Sequence, residues 1–324
     1  MLAGLMVFGI TQGRNWVDMC IAQANPKDWT LIQLSRAGKS STRRRRNGWP
    51  LTIEPNQGFV GGIILLEESG WIDLVDAKST LRRLVKLPLG QSREWDRVAV
   101  DPSRRLVAVL NPMSEYGDGC SLIVFDAASK KIIVNLRDRG LLSRLGLKLT
   151  QEPVACAGWN PGVAFSPDGR TLAVSMADPS TVLQGTEYHD PIVKTVLLNL
   201  ADGSVRRLST EGGVLGFTSA SDLVLWRAKT EGSTLYTLNL KTGTKSSLGA
   251  CNYPILSGGV VFDLKLDPSK RRLEGVCLMD LRAKRTKVIA APRGLTWLSP
   301  FPPVRDDPDF GPLFPQYAFS LNHD

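Results

Sequence analysis

The chain is poor in histidine. Its 324 residues include two histidines, His189 and His323, so a histidine-based metal cluster is excluded and any catalytic triad has to use one of these two. No Gly-x-Ser-x-Gly turn occurs that would expose a serine nucleophile. The five cysteines, at 20, 120, 156, 251 and 277, form no pair at metal-ligand or redox spacing, and their odd number leaves at least one outside any intrachain bridge. They read as small hydrophobic side chains, and no cofactor is expected. No stretch reaches the ~18 apolar residues of a membrane-spanning helix.

What the chain has is repetition. One phrase, an apolar run followed by Asp, Asn or Ser, a small polar turn and a second strand, occurs six times: at 31–43, 71–84, 122–136, 196–208, 235–248 and 276–288. A unit recurring at spacings of 41, 50, 73, 40 and 41 residues implies an array, because one such unit cannot bury its own apolar faces and has to stack on its neighbours. The 43% hydrophobic content is sufficient for a core, and 22% charged residues with a net charge of +9 favour acidic partners or surfaces. Arg43 to Arg46 form the densest basic run. With no nucleic-acid motif beside it, that run reads as a solvated outer strand or loop, and no nucleic-acid partner is expected.

Nearly all of the chain reads as strand. In the stretch 163–174, two apolar segments flank Ser166-Pro167-Asp168-Gly169, where Pro presets one turn dihedral and Gly accepts a positive φ. Residues 98–109 repeat this around Asp101-Pro102-Ser103, and 216–226 more loosely around Ser219 to Asp222. Each such hairpin precedes one of the phrases, itself a hairpin, so the unit is four antiparallel strands. Runs such as VLLNL and LIVF are apolar on both faces, as sheets covered on both sides require. The expected fold class is therefore all-β, a β-propeller with six blades favoured and seven as the alternative. Asp76, Asp126, Asn199, Asn239 and Asp280 recur at one place in successive phrases and are expected to bond turn backbone N–H groups. Trp71, Trp226 and Tyr236 fall on strands and read as packing between sheets.

The segments GVAFSPDGRTLAVS (162–175), VLLNLADGSVRRLS and LYTLNLKTGTKSSL resemble the repeats of TolB-like and WD-repeat-like bacterial propellers. No Gly-His pair occurs, and none of the six phrases carries the Trp-Asp pair of eukaryotic WD repeats. The resemblance covers residues 29–291 and implies protein or peptide partners and an extracytoplasmic address. One propeller domain over 1–324 is expected. Residues 1–28 then supply either its first strands or the remnant of a leader, since Ala22-Gln23-Ala24 is cleavage-site-like but no Lys or Arg precedes the apolar run at 2–10. Residues 292–324 are read as a ring-closing tail, with strand-like pieces at 295–298 and 316–321 that can pair with the first phrase.

In a four-stranded blade, the connection between the second and third strands leaves on the same side as the connection to the next blade. The three long segments, 111–121, 137–161 and 177–193, all belong to that side, and long loops on a rigid scaffold are where recognition is usually placed. They supply the candidate binding residues: Glu115, Tyr116 and Asp118; Arg137, Asp138, Arg139 and Trp159; Asp178, Glu187, Tyr188, His189 and Asp190. This mixture suits a polar peptide, a sugar or a cation, and the expected function is non-catalytic binding or scaffolding. The alternative is a hydrolase or lyase whose carboxylates, Asp118, Asp178, Glu187 and Asp190, converge at the channel mouth, with or without calcium.

Overall fold

Apolar runs bounded by Pro, Gly, Asn and Asp turns fold as strands wherever the chain is described. The computed structural model describes residues 6–12, 16–22, 28–35, 40–47, 50–55, 63–67, 69–75, 81–87, 97–111, 121–135, 162–177, 193–227, 233–251, 254–257, 260–267, 272–281, 284–290 and 318–323. The first sheet holds β1 (Met6–Gln12), β2 (Trp16–Ala22), β3 (Asp28–Ser35) and β4 (Ser40–Asn47). The second holds β5 (Pro50–Pro55), β6 (Ile63–Glu67), β7 (Trp71–Val75) and β8 (Leu81–Lys86). The third holds β9 (Arg97–Val100), β10 (Leu106–Asn111), β11 (Ser121–Asp126) and β12 (Lys131–Asn135). The fourth holds β13 (Val163–Phe165), β14 (Thr171–Ala177), β15 (Val193–Asn199) and β16 (Val205–Glu211). The fifth holds β17 (Gly213–Phe217), β18 (Asp222–Arg227), β19 (Ser233–Asn239) and β20 (Lys245–Cys251). The sixth holds β21 (Pro254–Ser257), β22 (Val260–Asp267), β23 (Arg272–Asp280) and β24 (Arg285–Ala290).

Each of the six sequence phrases has become the third and fourth strands of a sheet, and the Arg43–Arg46 run lies on an edge strand, β4. A last strand, β25 (Ala318–His323), runs parallel to β1, giving the first sheet the order β25-β1-β2-β3-β4. The sequence placed this tail against the phrase at 31–43. That phrase supplies β3 and the start of β4, and the tail pairs instead with β1, at the opposite side of the same sheet. The piece at 295–298 lies outside the described residues.

By its contacts the chain divides into two units, one of residues 1–56, 60–92 and 260–324, the other of residues 57–59 and 93–259. In the second unit the first strands pack on one another, β9 against β13 and β13 against β17, and the fourth strands form the far edges. Alternation divides the fourth sheet's side chains between two cores. Val163, Phe165, Leu172, Val174, Val196 and Leu198 meet Ala99, Ala108, Leu110, Leu122 and Val124 of the third sheet. Ala164, Ala173 and Leu197 face the other way, toward Val214, Phe217, Leu223, Leu225 and Leu238 of the fifth. Small residues on one sheet thus oppose bulky ones on the next.

A polar seam joins the fourth and fifth sheets at the same interface. Ser175 and Thr195, cross-strand partners and both fully buried, bond across it: Val214 N–H donates to the Ser175 hydroxyl, and the Thr195 hydroxyl donates to the Gly212 carbonyl at 3.1 Å. Gly162 sits where a Cβ would come within 2.0 Å of the Val214 carbonyl oxygen, so only glycine fits. In the first unit, Ile64, Leu66, Ile72 and Leu74 are buried, and so is Asp73, whose carboxylate accepts from Arg83 Nε at 3.2 Å. Arg83 in turn lies over the Trp71 ring, 4.5 Å from its centroid.

The turns obey one rule. Four residues after the recurring Asp or Asn, at Lys130, Gly203, Gly243 and Lys284, φ is positive at 56°, 68°, 75° and 51°. Asp126 accepts from the N–H groups of Ala128 and Ser129, Asn199 from that of Ala201, and Asn239 from those of Lys241 and Thr242, at 2.9–3.1 Å. The expectation that these residues serve the turns holds at these three positions. Asp280 ends β23, and Asp76 lies outside the described residues.

Two glycines separate backbone from steric effects. Gly243→Ala, with nothing within 4 Å of the new Cβ, is expected to lose about 1–2 kcal/mol in urea unfolding through its positive φ alone. Gly162→Ala, blocked by the Val214 carbonyl, is expected to lose more than Gly243→Ala, although its φ is ordinary.

Candidate functional site

The antiparallel order fixes which end of the second unit each connection occupies. Asn111 pairs with Ser121 at the end of β10 and β11, and Ala177 pairs with Val193 at the end of β14 and β15. The segments 111–121 and 177–193 spring from these pairs. The chain also leaves β12 at Asn135 and re-enters at Val163 on that same end. The side chains singled out there for binding lie outside the described residues: Glu115, Tyr116, Asp118, Arg137, Arg139, Trp159, Asp178, Glu187, Tyr188, His189 and Asp190. So does Asp138.

The opposite end carries only tight turns, and these are described. A cleft of about 420 Å³ opens there between the turns of the third and fourth sheets, lined among others by Asp101, Ser103, Arg105, Asp126 and Asp168. The two hairpins that flank it are aligned residue for residue, with Asp101 matching Ser166 and Ser103 matching Asp168. The Ser103 hydroxyl donates to Asp101, and the Ser166 hydroxyl donates to Asp168 at 2.6 Å, so serine and aspartate have exchanged places without changing the bond. Arg104 and Gly169, at φ 61° and 69°, occupy the same turn position.

Every carboxylate in the cleft is already engaged. Asp101, buried, accepts from the backbone N–H groups of Ser103, Arg105 and Leu106 at 2.6–3.1 Å. Asp126 accepts from Arg105 through Nε and Nη2, both at 2.7 Å, in addition to its turn N–H bonds. The Ser129 N–H and then the Arg105 guanidinium hold the Asp126 carboxyl below the usual carboxylate range. The Ser166 hydroxyl, helped by the Arg170 N–H, does the same for Asp168. A general acid needs the opposite, a carboxyl whose proton is held up toward neutral pH. This cleft is therefore turn scaffolding. Among the described residues no group of three or more His, Cys, Asp or Glu lies together as a metal site.

The lowered carboxyls set a pH dependence. A group whose folded pKa is depressed stabilises the fold above its unfolded value and loses that contribution as pH falls through the folded one. For Asp126 that loss lies below 3.8. Asp126→Asn keeps the turn acceptor, as Asn199 and Asn239 show, but loses the Arg105 ion pair. Thermal melts as a function of pH are expected to show a lower Tm for the variant at neutral pH and a shallower decline on acidification.

No protein-family model and no curated protein matches the chain. Solved structures do. TolB from Acinetobacter baumannii superposes with a TM-score of 0.52 at 13% identity, over 89% of this chain and 64% of that one. The tricorn protease gives 0.53 at 11% identity, over 90% and 35%. An oligogalacturonate lyase in complex with manganese gives 0.51 at 10% identity, over 89% and 78%. The chain thus spans less than two thirds of the length of the first two. At these identities the likeness is one of fold, and it extends to enzymes as well as to TolB. Its four-stranded antiparallel sheets and these neighbours identify the chain as an all-β protein that resembles the TolB-like β-propellers.

Proposed function

We propose that this protein is a non-catalytic binding or scaffolding propeller that receives a protein or peptide partner on the end carrying segments 111–121, 137–161 and 177–193. The observation that carries the reading is the asymmetry of the second unit's connections. The turns at one end are closed on themselves, with their Asp and Asn groups satisfied by backbone N–H groups or by neighbouring serine and arginine side chains. The long connections all leave from the other end, from the register pairs Asn111–Ser121 and Ala177–Val193 and from Asn135. A rigid sheet end that holds long polar segments matches the way folds present recognition loops. Glu115, Tyr116, Asp118, Arg137, Arg139, Trp159, Asp178, Glu187, Tyr188, His189 and Asp190 are the proposed contact residues, and a polar peptide is the ligand class their mixture suits.

Because Ala177 and Val193 stand opposite each other in register, a two-residue Asn-Gly turn can replace residues 178–192 without disturbing the hairpin. Affinity capture with this shortened protein is expected to lose the partners retained by the intact chain, whereas Asp126→Asn, at the closed end, retains them. Identical partner sets for the intact and shortened proteins would reject the assignment of the recognition end.

A further inference from the structure

Two cations share one aromatic ring in the second sheet. The Arg83 guanidinium carbon lies 4.5 Å from the centroid of Trp71, and the Lys86 ammonium lies 5.9 Å from it. On a regular strand, residues three apart point to opposite faces, so Arg83 and Lys86 of β8 could not both reach one side chain. A bulge brings them together. Val85 pairs with Ile72 and Arg83 with Asp73, which leaves Leu84 as the extra residue and puts both basic side chains on the face of Trp71. Arg82, opposite Leu74, stays on the other face. The backbone that carries Lys86 is fixed on both sides. Its neighbours Val85 and Leu87 are buried, and the Leu87 N–H donates to the Gly70 carbonyl at 2.8 Å, one step beyond the Trp71–Lys86 pair.

On the same face Asp73 is fully buried, and its carboxylate takes Arg83 Nε at 3.2 Å. Lys86 forms no ion pair with a described residue. Lys86 is exposed and the Arg83 side chain is 39% exposed, while Trp71 is half-buried. A lysine lying over a ring is ordinary on these edges, as Lys245 shows at 5.8 Å from the Tyr236 centroid in the fifth sheet. What differs at Trp71 is the second cation, because like charges held on one ring repel each other. An anion between them replaces that repulsion by two attractions. With Arg83 shared by Asp73, the cluster keeps one unit of positive charge, which a single carboxylate balances. A doubly charged phosphate would leave its second charge facing the buried Asp73.

We propose that Arg83, Lys86 and Trp71 form a binding site for a carboxylate group, supplied by an acidic peptide lying along β8, the outermost strand of the second sheet. The site lies wholly within the first unit and does not depend on the recognition segments of the second. The full chain is expected to bind fluorescein-labelled hexaglutamate in anisotropy titrations at low salt, and not to bind hexaglutamine. Lys86→Met keeps an aliphatic stem over the ring and is expected to weaken hexaglutamate binding by about fivefold, the upper range for one exposed ion pair, whereas Lys86→Arg retains it. Arg82→Met removes the same charge from the opposite face of the same strand and is expected to change binding by less than about twofold. Arg83 is left in place, because its removal would strand the buried Asp73 carboxylate. Thermal melts of Lys86→Met are expected to match those of the intact protein, which separates the loss from folding. Acetate is expected to displace hexaglutamate at least as well as phosphate does at equal ionic strength. Equal losses for Lys86→Met and Arg82→Met would reduce the binding to net charge and overturn the proposal. No binding of hexaglutamate, equal binding of hexaglutamine, or stronger displacement by phosphate would overturn it as well.

Discussion

These sheets cannot exist alone, because their middle strands are apolar on both faces. Val107 to Leu110 on β10 and Leu122 to Phe125 on β11 are buried without a break, and alternation sends successive residues to opposite sides. The fourth sheet shows the arrangement fully. Phe165 and Leu172 belong to the core shared with the third sheet, and Ala164 and Ala173 to the core shared with the fifth. Each bulky side chain so placed contributes about 1.5–3 kcal/mol, and its contribution depends on the next sheet being present. The polar seam of Ser175, Thr195 and Gly162 fixes how closely those neighbours approach.

With the faces taken up by packing, polar groups within the sheets are bonded in place, as Asp73, Ser175 and Thr195 are, and the other described polar groups gather at strand ends and edges. At the turn end these are spent on the fold. The exchange of serine and aspartate between Asp101/Ser103 and Ser166/Asp168 shows that what is needed there is a short carboxylate–hydroxyl bond within the turn, irrespective of which residue comes first. The three positions occupied by Asp126, Asn199 and Asn239 accept either an acid or an amide for the same reason: the function is to accept backbone N–H bonds. A cleft lined by such groups has polar walls, and Asp126 and Asp168 in it are held below the usual carboxylate range.

The repeat was legible in the sequence because a hairpin writes its whole grammar into some fifteen consecutive residues: strand, Asp or Asn, turn, strand. Short range also made the hairpins at Asp101-Pro102-Ser103 and Pro167-Asp168-Gly169 readable. Long-range pairing left no such mark. Nothing in Ala318–His323 distinguishes β1 from the strands of the phrase at 31–43 as its partner, and only the strand order shows that it joins β1. The edge charge was hidden similarly. Arg43 to Arg46 stood out as a run, but only strand order shows that Arg82, Lys131, Arg206 and Lys245 also lie on the last strand of their own sheets. Candidate recognition residues followed from connection length and strand direction, which locate segments on one end but do not position their side chains.

The parallel pairing of β25 with β1 couples residues 311 positions apart, Val7 with Ala318. During translation, at about 5–20 residues per second, β1 therefore waits roughly 15–60 s before its partner has been made. For that interval a seven-residue apolar strand presents unsatisfied backbone groups at the margin of the nascent first sheet. The hydrogen bonds of that edge are thus completed only after the whole intervening chain has been made, and until then the strand needs shielding.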